Sequence, residues 1–129
     1  KMVFIDKETN DLSYKIIGCA YNVHKELGPG LLESAYETCL CYELSKIEIN
    51  YEKQKGLPII YKDVTLDCGY RIDILVENKI VIELKTVEKL LPIHTAQIMT
   101  YLKLSNKHLG LLFNFYNANL QNGIKRYVL

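Results

Sequence analysis

Two acids and a lysine, Asp73, Glu83 and Lys85, lie in a stretch whose hydrophobic pattern brings them together. Residues 70–76 read Tyr-Arg-Ile-Asp-Ile-Leu-Val and residues 80–86 read Ile-Val-Ile-Glu-Leu-Lys-Thr, alternating like the arms of a half-buried hairpin. With Glu77-Asn78-Lys79 as a three-residue loop, Val76 faces Ile80, Ile74 faces Ile82 and Ile72 faces Leu84, so one side is wholly apolar. A slip of one residue would put half of these side chains in the wrong layer. This register sets Asp73 opposite Glu83 on the other side, with Lys85 two residues on and Arg71 across from it. Opposed side chains have Cβ atoms ~4.5–5.5 Å apart.

Carboxylates at that separation repel unless a proton or a cation lies between them. A hard divalent ion such as Mg²⁺ or Mn²⁺ takes oxygen ligands and suits the pair. Such an ion lowers the pKa of bound water and neutralises charge building on a phosphodiester. A neighbouring lysine orients or deprotonates the attacking water, or holds the phosphate as a point charge. On spacing alone, a solvated face of exposed ion pairs among Arg71, Asp73, Glu83 and Lys85 is an equal alternative. Leu75 and Val81 share that face, which argues that it is at least partly covered.

Three further positions join the set. His94, Gln97 and Tyr101 fall at i, i+3 and i+7 of a helical stretch, a polar stripe beside Ile98, Met99 and Leu102. The stripe suits either contact with the carboxylate pair or a helix edge facing water. Glu33 falls in the first turn of another helix, where the dipole favours a carboxylate whatever its role.

The elements that must hold these residues can be read along the chain. Asp11 caps a helix running to about Leu27, with Ile16, Ile17, Ala20, Val23 and Leu27 as its apolar stripe, and Gly28-Pro29-Gly30 ends it. A second helix spans about Leu31–Ser45, with Leu32, Ala35, Tyr36, Cys39, Leu40 and Leu44 at helical spacing. Strands are expected at Ile49–Lys53, Leu57–Tyr61 and Val64–Leu66, followed by the hairpin. A helix opens at Pro92 and runs to about Leu104. A buried strand over Leu109–Tyr116 and a short one over Gly123–Leu129 close the chain. The order implies an α/β fold, more closely an α+β mixed sheet flanked by helices, forming one domain over residues 1–129.

Composition sets the remaining limits. The 129 residues carry 16 basic and 15 acidic side chains, a formal charge of +1, so any attraction to phosphate must be local. No apolar run approaches a membrane span, and Lys1 to Asn10 shows no secretory apolar stretch, so a cytoplasmic protein is expected. Cys19, Cys39, Cys41 and Cys68 lack metal-ligand spacing and read as reduced, mostly packed thiols.

Together these features resemble the PD-(D/E)XK nuclease superfamily, and more closely its branch of GxxExxY proteins. The branch pattern is matched by Gly30-Leu31-Leu32-Glu33-Ser34-Ala35-Tyr36, and the nuclease signature by Asp73 followed by Glu83-Leu84-Lys85. Gln97-x-x-x-Tyr101 is similar to the motif that follows in RecB-like members, and Gly69 to Asp73 and Gly123 to Arg126 also match the branch. The likeness covers about Leu12 to Leu129, departing from the nominal pattern in having Ile72 rather than proline before Asp73. It implies a restriction-endonuclease-like αβββαβ core with Mg²⁺ or Mn²⁺ held by Asp73, Glu83 and the Leu84 carbonyl. Glu33 would be an additional acid near the metal, Lys85 the catalytic lysine, and Gln97 and Tyr101 site-shaping residues. The implied activity is metal-dependent phosphodiester hydrolysis on nucleic acid, DNA before RNA, by a homodimer or a subunit of a larger complex. A non-catalytic nucleic-acid-binding or protein-interaction module of the same fold is the alternative.

Overall fold

The structure is a computed structural model and describes residues 4–129. Helix α1 spans Lys7–Leu27 and begins one turn earlier than its apolar stripe suggests. Asp6, in extended backbone, accepts the Thr9 N–H at 2.7 Å and so caps the helix in place of Asp11. Asp11 instead pairs with Lys7 across one exposed turn. The expected stripe is buried at Ile16, Ala20 and Val23, joined by Cys19, while Leu27 is exposed.

Helix α2 spans Glu33–Lys46, two residues later than expected. Gly30 has φ +108°, a conformation that side chains with a Cβ rarely adopt, and Leu32 is still extended. Leu32 is therefore exposed rather than part of the apolar stripe. Tyr36 is fully buried and stacks on Phe115, with ring centroids 4.3 Å apart and planes 4° from parallel. Its hydroxyl donates to the Gly28 carbonyl and accepts the Leu31 N–H at 3.2 Å. Tyr36 thereby ties the glycine-rich turn to the core and fixes where α2 begins.

A five-stranded sheet follows, in the order β1-β4-β5-β6-β7. Its members are β1 (Tyr51–Gly56), β4 (Arg71–Val76), β5 (Ile80–Lys85), β6 (Leu109–Asn114) and β7 (Ile124–Val128). Strands β2 (Ile59–Tyr61) and β3 (Val64–Leu66) form a separate antiparallel hairpin. The β4–β5 loop has three residues as expected, with Glu77 and Asn78 at positive φ and Val76 paired with Ile80. Helix α3 (Pro92–Ser105) carries the chain from β5 to the parallel β6, and the remaining sheet pairings are antiparallel. This mixed sheet flanked by helices is the expected restriction-endonuclease-like arrangement.

Boundaries move where side chains intervene. Strand β1 starts two residues after Ile49 and runs to Gly56, and the stretch expected at Leu57–Tyr61 is strand only from Ile59. Strand β6 stops at Asn114, because the Asn114 amide accepts the Val87 and Tyr116 N–H groups and donates to the Val87 carbonyl. A 3-10 turn at Leu120–Gly123 precedes β7. A Cβ on Gly123 would collide with the Asn114 carbonyl, so that position tolerates no side chain without movement.

The core has two layers. One face of the sheet, including Ile74, Val76, Ile80, Ile82, Leu84, Leu111 and Phe113, packs with α1 and α2. On the other, Leu75, Val81 and Leu112 pack under Ile98, Tyr101 and Leu102 of α3. Ile72 departs from its expected layer and joins this second cluster, apart from Leu84. No helix among the described residues is long and apolar enough to cross a membrane. All four cysteines are free, with Cys19 and Cys41 buried, Cys39 partly buried and Cys68 exposed.

The Tyr36 hydroxyl is expected to contribute about 1–2 kcal/mol, the range for a buried hydroxyl with two main-chain partners. Tyr36→Phe should lower the urea midpoint accordingly with an unchanged slope, whereas an unchanged midpoint would show that the turn holds itself.

Candidate active site

Pairing of β4 stops on both sides at one residue. The β4–β5 ladder runs from Val76–Ile80 to Ile74–Ile82 and goes no further, although Asp73 and Glu83 come next in register. On the other flank β1 pairs through Lys53–Ile74 and again at Lys55–Ile72, omitting Gln54–Asp73. Where the ladder opens, side chains replace it. The Leu84 N–H donates to Asp73 Oδ2 at 2.8 Å, and the Asp73 N–H to Glu83 Oε1 at 3.3 Å. Each acid thus accepts a main-chain donor from the opposite strand, and the two carboxyl groups are held on the same side of a break in the sheet.

Glu83 is only 4% exposed, since α3 and the second core layer cover its face. That burial, reinforced by the neighbouring Asp73 carboxylate, pushes its pKa up from 4.5 to about 8, with the Asp73 N–H and Lys85 opposing. Exposed ion pairing does not account for the group. The salt bridges among the described residues are Lys7–Asp11, Lys55–Glu52 and Lys79–Glu8, all at the surface and none involving Arg71, Asp73, Glu83 or Lys85.

The Lys85 ammonium is directed by α3. Its Nζ donates to Gln97 Oε1 at 3.1 Å, and Gln97 Nε2 donates to the Tyr101 hydroxyl at 3.2 Å. Tyr101 is 7% exposed, which excludes a helix edge facing water. Burial raises the pKa of its hydroxyl, with Glu83 and Asp73 adding to the effect and Gln97 opposing it. His94 lies on the same stripe but is engaged elsewhere: its Nδ1 accepts the Leu91 N–H at 3.0 Å and closes the start of α3.

Glu33 reaches this group from α2. Its side chain is solvent-accessible, yet packing around the carboxyl raises its pKa, with Asp73 adding and both Lys85 and the Thr86 N–H opposing. The helix break set by Gly30 and Tyr36 thus delivers Glu33 to the end of β5. Among the described residues no three His, Cys, Asp or Glu side chains form a ready metal cage.

Two carboxyl groups of adjacent strands, one of them buried with no basic group of the described residues at ion-pair distance, suit a hard divalent ion that keeps several waters of its own. The fit is to that class, rather than to an ion enclosed wholly by protein.

One contributor has no signal in the sequence. Gln54, amid the charged run Glu52-Lys53-Gln54-Lys55, looks like an exposed strand residue. It adopts φ +51° and sends its amide to Glu37 Oε2 at 2.7 Å and Asp73 Oδ1 at 3.4 Å. A left-handed glutamine costs about 1–3 kcal/mol, and here it coincides with the break in pairing opposite Asp73.

A model of the PD-(D/E)XK nuclease superfamily matches residues 10–127, a span that includes every residue of this cluster. No curated protein and no solved structure matches the chain.

Two predictions follow from the geometry. Because the folded-state pKa of Glu83 is raised, its contribution to stability in metal-free buffer is fully present below about pH 4.5 and is lost as pH rises through about 8. Glu83→Gln should therefore gain on the wild type by a few kcal/mol between about pH 5 and pH 9; denaturation curves that run parallel across that range would contradict the buried-acid reading. Gln54→Gly should raise the unfolding free energy by up to about 1 kcal/mol by removing the strained φ. A loss in the same measurement would mean that its amide contacts outweigh the strain.

Proposed function

This chain belongs to the PD-(D/E)XK nuclease superfamily, and from that premise we propose that it hydrolyses phosphodiester bonds of nucleic acid, DNA in the first instance, with a divalent cation. One observation carries the reading: Glu83 is buried against Asp73 without a basic partner at ion-pair distance among the described residues, while an ammonium is tethered close by. Asp73, Glu83 and the Leu84 carbonyl would hold Mg²⁺ or Mn²⁺. When bound, such an ion neutralises charge on the phosphate and makes water a better nucleophile at neutral pH.

The chain's own groups supply the rest. Lys85 donates to a phosphate oxygen or orients the attacking water from a position fixed by Gln97. Gln97 is a positioning residue, since its other end is anchored on Tyr101. Glu33 contributes negative charge at the open end of the site, where it attracts and orients hydrated cations. Leu75, Val81 and Leu112 form a dry floor that keeps the local dielectric low, so these charges act strongly on one another.

With Mg²⁺ or Mn²⁺ and a panel of single-stranded, duplex and branched DNA and RNA, the wild type should cut at least one substrate. Asp73→Ala and Lys85→Ala should each lower the rate by about a hundredfold or more, and Gln97→Ala by about tenfold. Cleavage that persists unchanged in Asp73→Ala and Lys85→Ala would remove this site from the chemistry. Salt-sensitive binding without any cleavage would leave a nucleic-acid-binding module in its place.

A further inference from the structure

Beside the carboxyl pair, between α3 and the β2–β3 hairpin, lies a cleft of about 530 Å³. Tyr70 and Tyr101 line it with Ile59 and Ile93, and Lys85 and Gln97 also face it. Its wall is mainly apolar and aromatic, and it shares the tethered ammonium with the proposed catalytic site. We propose that this cleft takes an unpaired nucleobase, which makes single-stranded or frayed nucleic acid the preferred substrate. The inference rests on the nuclease reading above and adds the substrate class to it.

Three observations carry it. Tyr70 remains 44% exposed while its ring meets the buried Tyr101 edge-on, at 6.5 Å between centroids and 62° between planes. A ring held from one side and open elsewhere is a stacking platform, and stacking accepts any base because every base has a π-face. Second, Tyr101 is bonded through Gln97 to Lys85, so platform and cation belong to one connected unit. A nucleotide has the matching construction, a flat apolar base joined covalently to an anion. A purely apolar ligand would fill the wall and leave the Lys85 charge unanswered. Third, the volume lies within the range of small-ligand sites, ample for one base. A base within a duplex has both faces covered by its neighbours and must leave the stack to enter, which a free strand does without that cost.

The test uses the 129-residue chain without divalent ions, so binding is read independently of cleavage. Fluorescence anisotropy with a labelled six-nucleotide oligothymidylate should show salt-sensitive binding. Tyr70→Ala should weaken it about tenfold, and Tyr70→Phe, which keeps the ring, should restore it. Thr100→Trp, a substitution at an exposed helix position lining the cleft, should fill the space and weaken binding to a similar degree. A closed-end hairpin duplex should compete at least tenfold less well than the single strand. The proposal is overturned if the wild type does not bind, if Tyr70→Ala and Thr100→Trp bind as the wild type does, or if the duplex competes equally. Binding as described by a chain that never cuts would retain the base cleft and reject hydrolysis.

Discussion

The mutual clasp of Asp73 and Glu83 is the interaction around which the rest is arranged. Each carboxyl group accepts a main-chain N–H of the facing strand at the point where sheet pairing gives out. An ordinary antiparallel ladder would direct those N–H groups to carbonyls and leave the acids free to turn towards water. Here the acids replace the ladder, so they cannot separate without leaving main-chain donors unsatisfied in a partly buried place. The backbone hydrogen bonding thus keeps the two carboxyl groups together, and their repulsion has to be offset by a proton on the buried Glu83 or by a cation between them.

The two-layered core explains why that repulsion is not dissipated by solvent. Leu75 and Val81 lie between the acids and the β4–β5 loop on the face that α3 covers, so apolar packing closes the sheet on that side of the clasp. The same helix then offers Gln97 and Tyr101 to Lys85, and α2 offers Glu33 from the opposite layer. Residues from five segments converge here, with Gln54 coming from β1, Asp73 from β4, Glu83 and Lys85 from β5, Gln97 and Tyr101 from α3, and Glu33 from the start of α2. Arg71, which the register places across from Lys85, remains exposed and takes no part in this convergence.

Much of this was legible in the chain. The alternating pattern in residues 71–85 gave the hairpin, its three-residue loop and the facing of Asp73 and Glu83, because a buried face tolerates only one register. The spacing of His94, Gln97 and Tyr101 brought a polar stripe to the site, although His94 serves the helix start instead. What escaped was set by tertiary contacts. Gln54 carries no mark of its left-handed backbone, Ile72 changes layer because the strand is interrupted beside it, and Asp6 caps a polar turn that periodicity does not register. Tyr36 read as an apolar stripe residue and as the last position of the branch pattern, and neither reading reveals that its hydroxyl anchors the turn that sets Glu33 in place. The identity of the family is expressed in the whole span 10–127 rather than in any one of these residues.

The β2–β3 hairpin pairs only with itself, and Ile60, Tyr61, Val64 and Leu66 on it are all exposed. Through Ile59 it nevertheless forms one bank of the space beside Lys85. The five-stranded sheet that holds the acids does not include this arm, so a change in its length or composition would reshape that space and leave the sheet's own pairing intact.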